Sequence, residues 1–164
     1  MTAAAGLVAL SDAQLRNRRS KITDYLDSFG DVRVEDLGGG GPRQLLQFTL
    51  VAPGYPCEVD VTALYREYYR RTRAGSWDIA KYTYEYRDYL RNARLAYHLH
   101  DLGGRQLMAH AHCEAEAEPE DEEAGHLRAT AFDLVEANTQ FMRLYAADAA
   151  PDCGALLPLE IRRP

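Results

Sequence analysis

The residues of this chain best suited to chemistry are two H-x-H pairs, His98 with His100 and His110 with His112, preceded by Glu85 and Arg87. Imidazole changes protonation near neutral pH and also coordinates divalent ions, so such a set supports two chemistries. The first is proton transfer, with one histidine as base, another as acid and Arg87 opposing the developing negative charge. The second is a divalent metal held by adjacent strands; zinc suits the donors, although no conventional ligand spacing specifies it. A third account involves no chemistry, only polar residues alternating with core residues on an exposed strand face. The candidate catalytic set is therefore His98, His100, His110, His112, Glu85 and Arg87, with either no cofactor or a divalent metal.

Whether the four histidines can meet depends on strand register. Tyr82, Tyr84 and Tyr86 alternate with Thr83, Glu85 and Arg87, and Tyr97 and Leu99 alternate with His98 and His100, the period of half-buried strands. A two-residue turn at Arg91-Asn92 pairs Tyr86 with Tyr97 and Tyr84 with Leu99, which sets Glu85 beside His98, Thr83 beside His100 and Arg87 beside Ala96. In the next hairpin a two-residue Gly103-Gly104 loop would expose Leu107, Ala109, Ala111 and Cys113. A three-residue loop, Leu102 to Gly104 or Gly103 to Arg105, buries them instead, favoured by about 25 cal/mol per Å² of apolar surface. The expected outcome is one face carrying all four histidines with Glu85, Arg87 and Glu114, opposite Tyr84.

Other segments must support this sheet. Ser11 and Gln14 form a capping box, Leu10 and Leu15 a staple, and Leu15, Ile22, Leu26 and Phe29 one helical stripe, with Gly30 suited to a left-handed stop. Arg16, Arg18, Arg19 and Lys21 occupy the other side of that helix, a solvated face or a phosphate-contacting edge. Val32 and Val34, then Leu46, Phe48 and Leu50, predict a hairpin around Gly38 to Pro42. Cys57, Val59 and Val61 predict a third strand. Thr62 to Arg73 fits either a helix or a strand; a short helix is favoured, projecting Arg66, Arg70, Arg71 and Arg73 as one nucleic-acid-facing patch. A last helix is expected from about Leu127 to Tyr145. The predicted fold is α+β: an antiparallel sheet of five to six strands with the N- and C-terminal helices packed on one face, in a single domain over 1–150 followed by a tail, 151–164.

Composition narrows the classes further. The chain has 164 residues, enough for one domain, and a net charge of −6. Seven acidic residues lie between Glu114 and Glu123, and without them the remainder is one charge positive. The tract around Pro119 reads as a solvated, mobile loop over 114–124, and a modest nucleic-acid surface elsewhere is compatible with the rest. No signal peptide or membrane helix is legible, and three widely spaced cysteines, Cys57, Cys113 and Cys153, suit a reducing compartment better than a disulfide framework. A cytoplasmic location follows as an expectation, with no membrane partner. Walker loops, Rossmann glycines, H-E-x-x-H and nucleophile elbows are absent.

The block from Lys81 to Asp88 (KYTYEYRD), continued by Ala96 to Asp101 (AYHLHD) and His110 to Glu114 (HAHCE), resembles the TumE-like toxin components of bacterial toxin-antitoxin loci and their small uncharacterised relatives. The stretch Arg94 to Asp101 lacks the Asp-Asn pair of that family. The resemblance implies a short N-terminal helix before antiparallel strands, a toxin-like effector that cleaves RNA, and a cognate antitoxin as partner. A rival class stands beside it: a non-enzymatic interaction module or accessory subunit whose Tyr-rich sheet and terminal helices contact protein, a second copy of the chain included.

Overall fold

The computed structural model describes residues 9–37, 41–51, 61–101, 107–115, 126–128 and 133–146. Helix α1 (Asp12–Asp27) precedes six long strands, β1 (Asp31–Leu37), β2 (Arg43–Val51), β3 (Val61–Arg71), β4 (Trp77–Asp88), β5 (Ala93–Asp101) and β6 (Leu107–Ala115). A three-residue strand β7 (His126–Arg128) and helix α2 (Leu134–Ala146) follow. The strands pair antiparallel in sequence order, so the sheet is a plain meander from β1 to β7. The α+β expectation holds, with β7 as a short addition at the edge.

Period-two burial gives the sheet two unlike faces. Tyr65, Tyr69, Tyr82, Tyr84, Tyr86, Tyr97, Leu95, Leu99 and Phe48 are buried, and both described helices cover them. Phe141 of α2 lies 5.8–5.9 Å, ring to ring, from Tyr65, Tyr86 and Tyr97, which fixes the helix over the sheet centre. Buried Asn138 accepts from the Tyr65 hydroxyl at 2.6 Å and donates to that of Tyr25 at 3.2 Å, linking α2, β3 and α1. The opposite, open face carries the alternate residues: Arg66 and Tyr68, Lys81, Thr83, Glu85 and Arg87, Arg94, His98 and His100, and His110 and His112.

Helix α1 starts as read, with the Ser11–Gln14 capping box formed in both directions and Leu15, Ile22 and Leu26 buried. Its end differs. Ser28, in right-handed conformation, closes the helix, its amide bonding the Leu26 and Tyr25 carbonyls. Among the described residues the glycine with positive φ is Gly75, not Gly30. Helix α2 begins at Leu134 rather than near Leu127, because His126–Arg128 pairs with β6. Asp133 and Glu136 cap it reciprocally, each backbone amide bonded to the other's carboxylate.

The expected short helix over Thr62 to Arg73 is instead the 11-residue strand β3. Its burial alternates from Val61 to Tyr69, the pattern of the strand alternative, and it puts Glu67, a carboxylate, on the buried face with 0% exposure. Arg18 reaches across from α1 with two hydrogen bonds, one of 2.7 Å from Nε, and the hydroxyls of Tyr69 and Tyr84 donate at 2.5 and 2.7 Å. A charge so neutralised can occupy a core position.

One further expectation needs adjustment, and others fall outside the described residues. Cys113 is disulfide-bonded, against the reading of its thiol as one of three suited to a reducing compartment; Cys57 and Cys153 lie outside the described residues. The acidic stretch from Glu116 to Glu123 and the tail also lie outside them, as does most of the segment from Cys57 to Val61. Among the described residues no helix is long and apolar enough to cross a membrane.

Candidate functional site

Strands β5 and β6 bring the histidines together as loop parity requires. His98 is the direct register partner of His110, Ala96 of His112 and His100 of Met108, the register of the Gly103–Arg105 alternative. Ring centroids of His98 lie 5.1 Å from His110, 4.8 Å from His112 and 5.6 Å from His100, and His100 stacks on His110 at 5.0 Å. The Nε2 atoms of His110 and His112 are hydrogen-bonded at 3.0 Å, one ring donating to the other. One nitrogen from each of His98, His110 and His112 falls within 4.8 Å of the others, so these three are the residues able to share an ion.

The surroundings of His98 and His100 favour the neutral imidazole. Burial, and then the charges of His112, His110, His100 and Arg94, push the His98 pKa down to about 3. His100 is lowered as well, by burial and by Lys81. The Nε2 of His98 is buried without a hydrogen-bond partner.

Glu85 and Arg87 share this face, but not as neighbours of His98. The β4–β5 connection is a four-residue turn, Tyr89–Asn92, closing on the pair Asp88–Ala93. Asp88 accepts from the Arg91 amide at 3.0 Å, and Asn92 takes φ 48°, a conformation that asparagine tolerates. The longer turn slides the register by two positions. Tyr84 therefore meets Tyr97, Thr83 meets His98 and Glu85 meets Ala96. A slip of two preserves every face and changes every neighbour. Glu85 is gripped by Arg94 at 3.0 Å and by Arg87 at 3.2 Å, while Arg87 also lies over the Tyr89 ring. Arg94, absent from the sequence candidates, lies on β5 opposite Arg87, and its charge is among those that lower the His98 pKa.

The arginine patch of Arg66, Arg70, Arg71 and Arg73 is divided by the strand. Arg66 lies on the open face, bonded to Gln47 at 2.7 Å, and Thr83 separates it in register from His98. Arg70 is exposed near the end of β3. A bulge between Tyr68 and Tyr69 precedes Arg71, which reaches Asp12 at 3.4 Å and covers the Trp77 ring. Arg73 is exposed in the β3–β4 turn. Lys81, 4.1 Å over the Tyr68 ring, is the additional cation beside His100. It was legible in the alternation of β4, being out of phase with the buried tyrosines.

A cavity of about 740 Å³ lies on the helix side, bordered by Asp12, Arg16, Arg19, Asp24, Gln44 and Trp77, away from the histidines. Compared with family models, with curated proteins and with solved structures, the chain matches none.

Proposed function

We propose that this chain is a small bacterial effector that acts on RNA through its open sheet face. The observation that carries the reading is the convergence of His98, His100, His110 and His112 on a face that also bears Arg66 and Lys81. A phosphodiester backbone crossing β3 to β6 meets cations at Arg66 and Lys81 first and imidazoles next. Within the cluster one imidazole takes the 2′-hydroxyl proton, another returns a proton to the leaving oxygen, and Arg94 opposes charge on the phosphorane. The resemblance to TumE-like toxins supports the same direction and supplies a protein partner, a cognate antitoxin.

The test is RNA cleavage by the purified chain together with growth on induced expression. Cleavage and growth arrest are expected, both lost in His98→Gln and His110→Gln variants that keep the circular dichroism of the parent. A chain that neither binds nor cleaves RNA and leaves growth unchanged overturns the reading. The rival, a protein-binding module, draws on Tyr89 and Leu90, which stand 57% and 71% exposed at the β4–β5 turn. A stable protein complex that Leu90→Asp abolishes, without RNA binding, is its signature.

A further inference from the structure

We propose that His98, His110 and His112 bind one divalent transition-metal ion, zinc by donor type, with a coordination position left for water or substrate. The three ligand nitrogens already lie within 4.8 Å of one another, and the His110–His112 pair is at 3.0 Å. Tetrahedral zinc with bonds of about 2.0–2.1 Å places its ligand nitrogens about 3.3 Å apart. Two of the rings are therefore near coordinating separation, and His98 closes the remaining gap by side-chain rotation.

The scaffold suits such a site. His98 and His110 face each other across one ladder, and His112 follows two residues along the same strand, so a paired sheet holds the triangle's base. The buried Nε2 of His98 has no hydrogen-bond partner, an uncommon condition for a buried polar atom and one that an ion would relieve. Neutral imidazoles select zinc, copper, nickel or iron over magnesium and calcium, which take oxygen donors. Glu85 is held by Arg94 and Arg87 and His100 stands outside the trio, so neither supplies a fourth ligand. Three histidines with an open position form the donor arrangement of hydrolytic zinc centres. The use of the ion in RNA cleavage rests on the function proposed above; its binding does not.

The experiment is titration of zinc into the full, chelator-washed chain, followed by calorimetry and by the NMR signals of the histidine rings. One ion per chain is expected, moving the rings of His98, His110 and His112 most. Loss of partners outside the coordination sphere costs 10- to 100-fold in affinity, so loss of a direct ligand in His98→Gln or His112→Gln should weaken binding by about 100-fold or more. His100→Gln, at a ring outside the trio, should weaken binding less than either ligand variant does. Ring signals unmoved by zinc, or unchanged affinity in both ligand variants, overturn the site. The ring signals come from the parent chain and decide the matter even where a variant fails to fold. RNA cleavage is then assayed with chelator and with zinc restored. Zinc bound at the three rings without cleavage leaves the metal site standing and overturns the RNA reading. Cleavage with no zinc bound does the reverse.

Discussion

The guanidinium of Arg18 on α1 closes a two-point ion pair on the carboxylate of Glu67 in β3, 49 residues away in sequence. Glu67 is fully buried, whereas the Arg18 side chain keeps 35% of its exposure. Two tyrosine hydroxyls, from Tyr69 and Tyr84, complete the shell around the same carboxylate.

Breaking that pair from one side should cost more than removing it whole. Arg18→Ala strands a carboxylate in the core, for which the expected loss is about 3 kcal/mol, at the low end for buried pairs because Arg18 reaches solvent. Adding Glu67→Gln should recover part of it, since the two effects do not add. Urea unfolding of the two single variants and the double variant measures both; equal, additive losses would contradict the coupling.

Alkaline pH should unfold the chain through its core tyrosines. Burial, aided by Asp88, raises the Tyr86 pKa from 10.0 to about 12. Tyr84, Tyr69 and Tyr97 are also raised, each chiefly by burial, the first two with help from Glu67. Between the ordinary tyrosine value and these raised ones the native state holds more protons than the unfolded state, so stability falls as pH rises. Stability should be flat in this respect below pH 10 and decline steeply toward pH 12. Thermal midpoints across that range, with tyrosinate absorbance as a second signal, check it.

The β4–β5 turn should tolerate glycine but not a β-branched residue at Asn92. With φ at 48°, Asn92→Gly removes no side-chain requirement of the turn, and its effect should be near zero. Asn92→Val should cost about 1–2 kcal/mol, the penalty for forcing a left-handed conformation. Denaturant midpoints of the two variants measure this requirement, and equal losses in both would contradict it.

RNA affinity should respond to cations on one side of the sheet only. Arg66→Ala and Lys81→Ala should each weaken binding and reduce the slope of log affinity against log salt by about 1. Arg71→Ala, on the helix side against Asp12 and Trp77, should leave the slope unchanged. Filter binding at several salt concentrations reads all three.

Alternation along the chain by itself determined which face each residue of β4, β5 and β6 occupies. Period-two burial and loop parity place His98, His100, His110 and His112 together and opposite Tyr84, and a register slip of two leaves that result intact. The capping box at Ser11 and Gln14 likewise specified where α1 begins, because all its atoms lie within one helical turn. Other features depended on groups distant in sequence. The strand from Thr62 to Arg71 carries Glu67 on its buried face, where Arg18, Tyr69 and Tyr84 bond it, and no local pattern in that segment announces a partner on α1. The β4 neighbour of His98 was set by the geometry of the Tyr89–Asn92 turn, which exchanged Glu85 for Thr83. Periodicity reports faces because pleating is a property of every strand; distances between rings belong to register, turn and packing, which only the folded chain decides.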